Sequence, residues 1–431
     1  MAIAAASALS LPAQAQTVTV TYQYKLDGKT VFVEEKTGQT VGAAYPDLMT
    51  LPAYVTAEKP PGTVACDVTA DIRCTYSGPV KAGKPYYIYF AYKHNNENSG
   101  YLYENAGGTM ATGTNTQRLD TDKGVWRFEG DPFNGYKIVS ASGDKKHWVA
   151  PDISSSTNTG GAAADRITTA TETPSGKFDT FEVVKPNNAT FVSENGFYLR
   201  VKGKATWFCN SRDRFLAFYT IFPNPTSGGN GCVTKLVDAL PALTLKTADE
   251  KDYYATYFLP FAVNVPDGFA AYGVRKNGTR ADLTQYDGVV PANTGVLVKG
   301  AAAAATFTLA ETDGTDATVG NELVGTLTDK TDFTQEGVYI FSKKGATVGF
   351  YHPAATTTTL SANKAYMLCT SAEADVEGYA LTPEPLPTGV RSALSGVQPL
   401  ASPLYDLSGR RVSRAVKGGV YIQGGRKVVM K

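Results

Sequence analysis

Two short segments combine residue types that suit sugar recognition. Asp144-Lys-Lys-His147-Trp148 and Trp207-Phe-Cys-Asn210-Ser-Arg212-Asp213 each set an indole beside Asp, His, Asn or Arg. A saccharide offers a C–H face to an aromatic ring and its hydroxyls to planar hydrogen-bonding groups. Asp144, His147, Trp148, Trp207, Asn210, Arg212 and Asp213 are therefore the candidate carbohydrate-binding residues. A competing reading is that Trp148 and Trp207 plug a core, where large aromatics are routine. Trp126, beside Phe128 in a strand pattern, reads as core. Lys145, Lys146, Arg212 and Arg214 either meet acidic glycans or are solvated loop charges.

Catalytic chemistry finds little material. The sequence holds no G-x-S-x-G elbow, no H-E-x-x-H and no phosphate-cradling glycine loop. Glu34/Glu35, Asp120/Asp122 and Glu182 could pair for glycoside cleavage, but neighbours in a strand face opposite ways and nothing marks one pair. The three histidines lie far apart and no CxxC exists, so neither a metal nor a cofactor is expected. The chemistry points to recognition rather than bond-breaking.

The elements that would position these residues are strands. The 431-residue chain is long enough for three domains or so. Its net charge of +1 gives no footprint for nucleic acid and no polybasic membrane patch. Only 19% of residues are charged, while 42 Gly, 25 Tyr and abundant Thr suit strands joined by tight turns. The fold class expected is all-β and multidomain.

Residues 1–15 read as a cleaved signal peptide, an apolar run ending at Ala13-Gln-Ala15 without a basic leader before it. It is too short to span a bilayer, and no later stretch is apolar enough. In an exported protein, Cys66–Cys74 and Cys209–Cys232 are the natural disulfides, leaving Cys369 alone; the alternative is five reduced thiols.

Residues 16–80 open with the period-two run Thr17-Val-Thr-Val-Thr-Tyr-Gln-Tyr and a hairpin turn at Asp27-Gly28. With the Thr40-Val-Gly-Ala-Ala-Tyr45 step, this segment resembles the β-grasp-like modules of bacterial surface proteins, mucin-binding repeats included. In residues 82–230 three aromatic strands recur, at Val125-Trp-Arg-Phe, Thr180-Phe-Glu-Val and Leu216-Ala-Phe-Tyr. Each has a Gly-aromatic strand upstream, at Gly100-Tyr, Gly135-Tyr and Gly196-Phe. This threefold pattern resembles the ricin-type β-trefoil lectins, without their Gln-x-Trp signature. Tyr86-Tyr-Ile-Tyr-Phe-Ala-Tyr92 alternates along one strand, with a domain interface expected for its outward rings.

Residues 233–382 carry short strands at sandwich spacing. The phrases Tyr254-Ala-Thr-Tyr-Phe-Leu-Pro-Phe, Pro291-Ala-Asn-Thr-Gly-Val and Ala362-Asn-Lys-Ala-Tyr366 resemble an accessory β-sandwich of secreted Bacteroidetes proteins. Residues 383–431 hold a Pro-rich linker, then Tyr405-Asp-Leu-Ser-Gly-Arg-Arg-Val, Gly419-Val-Tyr-Ile and Gly425-Arg-Lys-Val-Val-Met-Lys. This tail resembles the small β-sandwich C-terminal sorting domain of type IX secretion. That resemblance implies the type IX machinery as a partner, and a secreted or outer-membrane-surface location. The expectation is a non-catalytic lectin-like protein whose partners are glycans or glycoproteins. A structural or adhesive protein that binds host or matrix protein is the first alternative, and a glycan-degrading enzyme with unrecognised carboxylates the second.

Overall fold

A computed structural model of the chain describes residues 16–91, 100–112, 122–152, 166–186, 195–204, 207–210, 216–219, 233–247, 252–312, 321–331, 337–354, 357, 359–369, 377–381, 404–405, 411–412, 420–423 and 426–429. For 91, 122, 207–210, 216–219, 247 and those beyond 400 other than 420 and 421, only the backbone is described. The expected signal segment and linker lie outside these residues, as do Arg212, Asp213 and Cys232. The described chain is nearly all β, with one 3₁₀ turn at Asp122–Gly124 and no α-helix among the described residues. It divides into two units, Met1–Leu381 and Thr382–Lys431.

The first unit opens with β1 (Thr17–Leu26), β2 (Lys29–Thr40), β3 (Val55–Ala57) and β4 (Val68–Tyr76), a sheet of order β2-β1-β4-β3. Asp27 and Gly28 both have positive φ, the geometry that closes a two-residue hairpin in the twist of its strands. β4 then returns parallel to β1. Val20, Tyr22, Tyr24, Ile72 and Cys74 alternate inward to one core. Phe133, from a later turn, completes that core by stacking on Phe32 at 5.9 Å between ring centroids. Cys74 thus faces inward while Cys66 is exposed, and both are free thiols. The disulfide expected between them is corrected: strand alternation points Cys74 at the core, away from the solvent that Cys66 faces.

Twelve strands follow, and their pairing repeats three times. They are β5 (Pro85–Ala91), β6 (Gly100–Glu104), β7 (Met110–Thr112), β8 (Val125–Asp131), β9 (Gly135–Ser140), β10 (His147–Val149), β11 (Thr168–Ala170), β12 (Phe181–Val184), β13 (Tyr198–Val201), β14 (Trp207–Asn210), β15 (Leu216–Tyr219) and β16 (Val233–Asp238). β5, β8, β9, β12, β13 and β16 pair in a ring. Reciprocal backbone hydrogen bonds between Phe197 and Thr234 close it. The remaining strands form the hairpins β6–β7, β10–β11 and β14–β15. Each repeat is ring strand, hairpin, ring strand. Tyr86, Ile88, Phe90, Trp126, Phe128, Ile138, Phe181 and Leu199 point into the ring at period two.

The phase of the repeat differs from the sequence reading. Val125-Trp and Thr180-Phe mark ring strands, but Leu216-Ala-Phe-Tyr is hairpin strand β15 and Gly100-Tyr is hairpin strand β6. The third ring strand is β16, which the sequence reading places in the sandwich. It was missed because Val233, Leu236 and Val237 carry no aromatic marker.

β17 (Leu243–Thr244), β18 (Lys246–Thr247), β19 (Tyr253–Tyr257), β20 (Val263–Asn264), β21 (Phe269–Asn277), β22 (Arg280–Gln285), β23 (Val289–Val290), β24 (Val296–Gly300), β25 (Ala304–Ala305) and β26 (Thr308–Leu309) come next. β27 (Leu323–Thr326), β28 (Val338–Lys344), β29 (Thr347–Tyr351), β30 (Lys364–Leu368) and β31 (Gly378–Leu381) end the unit. Ten of these form one sheet, in the order β18-β19-β24-β21-β22-β31-β29-β28-β30-β27. Its two halves enclose Tyr254, Leu297, Tyr339, Phe350 and Met367. On the opposite face of β19 and β24, Ala255, Tyr257, Val296 and Val298 pack on Val263, Val290 and Phe307. A strand buried on both faces reads as a continuous apolar run, as Val296-Leu-Val does. Tyr87, Val125 and Ala141 of the ring join this second core, so the outward Tyr87 ring packs against the strands that follow the ring.

The second unit holds β32 (Leu404–Tyr405), β33 (Arg411–Val412), β34 (Val420–Gln423) and β35 (Arg426–Val429). They form one antiparallel sheet of order β33-β32-β34-β35, laid over the three motif segments of the tail.

Candidate functional site

The second repeat holds its candidate residues inside the protein. Trp148 lies on β10 with 0% exposure, edge-on to Trp126 at 5.6 Å between ring centroids. It packs among ring strands and offers no face to a ligand. Its Nε1 and that of Trp126 have no hydrogen-bond partner. His147, also buried, directs Nε2 at Thr173 Oγ1, 2.9 Å away. Thr173 spends its single proton on Asp179, so His147 Nε2 is the donor. Burial and the Lys137 charge push the imidazole below its ordinary pKa, against the pull of Asp179. Burial alone would raise the Asp179 carboxyl, but hydrogen bonds from Lys137, Thr173 and Thr180 hold it at about 2.

Asp144 and Lys146 are equally committed. Asp144 Oδ1 accepts the Lys146 N–H across a turn in which Lys145 takes φ 56°. Lys146 Nζ then reaches Glu104 Oε1 at 2.6 Å, and the Glu104 side chain is only 3% exposed. Asp144, Lys146, Glu104 and His147 each have a protein partner, which a ligand would have to displace. As carbohydrate contacts, His147 and Trp148 are corrected: Trp148 turns into the core of the ring, and His147, on the other side of β10, is buried and held by Thr173. In the third repeat, Trp207 pairs through its backbone with Arg200 and Tyr219, and Asn210 with Leu216. The side chains of Trp207, Cys209 and Asn210 lie outside the description, as do Arg212 and Asp213 entirely.

An open polar cleft lies beside the ten-stranded sheet. β28 pairs with β30 only at Val338 and Tyr339, then continues along β29 to Lys344, so the two strands part. Across the gap, Phe258 N–H donates to Asn363 O and Ala365 N–H to Thr256 Oγ1, which ties the start of β30 to the end of β19. The resulting cavity of about 480 Å³ is bounded by β18, β19, β28, β30 and the segment around Leu360. Tyr254, Phe341 and Leu360 give it an apolar side, with hydroxyls from Thr244, Ser342 and Ser361. Lys246, Lys343 and Lys364 also line it, and among the described residues no carboxylate does. None of the three lysines has an ion-pair partner among the described residues. Burial pushes the half-buried Lys364 ammonium below its ordinary pKa, and the charge of Lys246 adds to that.

No protein-family model matches the chain, and no curated protein matches it in sequence. The sequence reading passed over these lysines. Lys364 sits within the Ala362-Asn-Lys-Ala-Tyr366 phrase, and a charge entering an apolar strand with no acid two positions away was the signal available.

Proposed function

We propose that this is a secreted or surface-attached carbohydrate-binding protein without catalytic activity, and that the sandwich cleft is its binding site. The carrying observation is the cleft itself. Its volume of about 480 Å³ suits a mono- to disaccharide, and it sets aromatic and aliphatic surface against hydroxyls and ammonium groups. Six ring strands capped by three hairpins, in three equal repeats, support reading residues 85–238 as a β-trefoil. The parallel return of β4 beside β1 supports the β-grasp-like reading of the N-terminal sheet. The separate unit at Thr382–Lys431, with strands on each motif of the tail, supports the type IX sorting domain.

A glycan array on the full chain tests the proposal. Binding is expected, and Thr359→Trp, at an exposed position on the cavity wall, should abolish it with the melting temperature unchanged. Binding that survives Thr359→Trp but falls with Trp207→Ala would move the site to the third hairpin. Release of reducing ends from polysaccharide would overturn the non-catalytic reading. Glycan silence with retained binding to matrix protein would favour an adhesin.

A further inference from the structure

We infer that the cleft selects acidic saccharides, those carrying a carboxylate or sulfate group, over neutral ones. The inference rests on the carbohydrate-binding reading and names the ligand class for the same site. Neutral sugars are held largely through carboxylates and amides that accept their hydroxyl protons, and among the described residues this cavity has no carboxylate on its wall. Its charged groups are all donors: Lys246, Lys343 and Lys364. Three ammonium groups in one cavity, within a chain whose net charge is only +1, are a local concentration of positive charge.

Elsewhere in the described structure comparable lysines are spent on the protein itself. Lys25 pairs with Asp71, Lys84 with Asp238, Lys146 with Glu104 and Lys299 with Asp252. Leaving Lys364 half-buried and unpaired costs stability, because desolvation and the neighbouring Lys246 charge both act against its charged form. An anion in the cleft would turn that repulsion into two charge-assisted hydrogen bonds. A bare inorganic ion does not account for the rest of the site. The cavity is far larger than one sulfate, and Tyr254, Phe341 and Leu360 furnish the apolar wall that a sugar ring needs.

Calorimetric titration of the full chain with a heparin-derived tetrasaccharide and tri-galacturonate, against neutral galactotriose, tests this. At least one acidic saccharide is expected to bind about tenfold more tightly than the neutral one, with affinity falling as salt rises. Lys246→Gln/Lys343→Gln/Lys364→Gln should lose about tenfold or more of that affinity. Lys343→Gln alone, at an exposed strand position, should lose a smaller share with the melting temperature unchanged, so misfolding cannot mimic the result. Equal affinity for the neutral saccharide, or a triple variant that binds as well as the parent, overturns the inference. Inorganic sulfate competing at the same concentration as the acidic saccharide also overturns it, by showing a free-anion site. Neutral binding that Thr359→Trp blocks would leave the proposed function standing while this inference fell; silence toward every saccharide would take both.

Discussion

Lys146 in the ring of strands and Lys364 in the ten-stranded sheet stand at the same kind of place, the start of a β-element where polar backbone gives way to core. Lys146 is ion-paired to a buried glutamate and backed by the Asp144 turn. Lys364 is half-buried beside another lysine, in an open cavity with no acid among the described residues. The first arrangement spends its charge on holding a hairpin to its neighbour. The second leaves charge available for something else. In an all-β protein, where loops at every sheet end carry polar residues, the state of pairing separates scaffold from site better than residue type does.

The strongest way to break this comparison is Trp148→Ala. Deleting a fully buried indole from the ring should cost about 3–5 kcal/mol, read by urea unfolding of the full chain. Glycan affinity of the remaining folded fraction should be unchanged. A folded Trp148→Ala protein of parental stability that has lost glycan binding would return the site to the second repeat. Trp148→Phe should be far milder, since the N–H it removes has no partner.

Lys146→Ala comes next. It strands the buried Glu104 carboxylate and should cost about 3 kcal/mol. Adding Glu104→Met to it should restore most of the loss, because the penalty lies in the orphaned charge. A single variant that unfolds at the parental urea concentration would show that the pair is not holding the hairpin.

Acid should act on the same part of the molecule, more weakly. The Asp179 carboxyl is held at about 2 by Lys137, Thr173 and Thr180, below its unfolded value near 4. The stability it contributes is complete above pH 4 and is lost as pH falls from about 4 to about 2, at most about 2 kcal/mol. Urea midpoints measured across that range should fall more in the parent than in Asp179→Asn. Parallel curves would mean that the cluster does not titrate as its contacts imply.

How much of this could be read in advance follows the same division. Period-two alternation gave away β1, β5, β8 and β12, and Asp27-Gly28 marked its hairpin, because these signals are local. The phase of the threefold repeat was not local. β15 is as apolar and aromatic as a ring strand, and only its partner distinguishes it: β15 pairs with neighbouring β14, whereas β16 pairs with distant β5. Asp144, His147 and Trp148 have the composition of a sugar site, but which way β10 faces is set by the ring it joins. The cleft was illegible for a related reason. Lys246, Lys343 and Lys364 come from three strands far apart in sequence, and they meet only where β28 and β30 part.

The finest test is the smallest in energy. Lys364→Met keeps the length and apolar stem of the side chain while removing a charge that burial and Lys246 both oppose. Function and stability should then move in opposite directions. The variant should be about 1 kcal/mol more stable than the parent, since a partly desolvated charge with no partner is replaced by an apolar group that packs beside Leu360 and Ile340. Its affinity for acidic saccharide should drop. The same exchange at Lys146 should destabilise, because there the charge has a partner to lose. If Lys364→Met instead lowers stability as Lys146→Met does, then Lys364 is a paired, structural lysine in solution. The contrast between the two regions would then disappear, and the cleft would have no more claim to a ligand than the buried hairpin has.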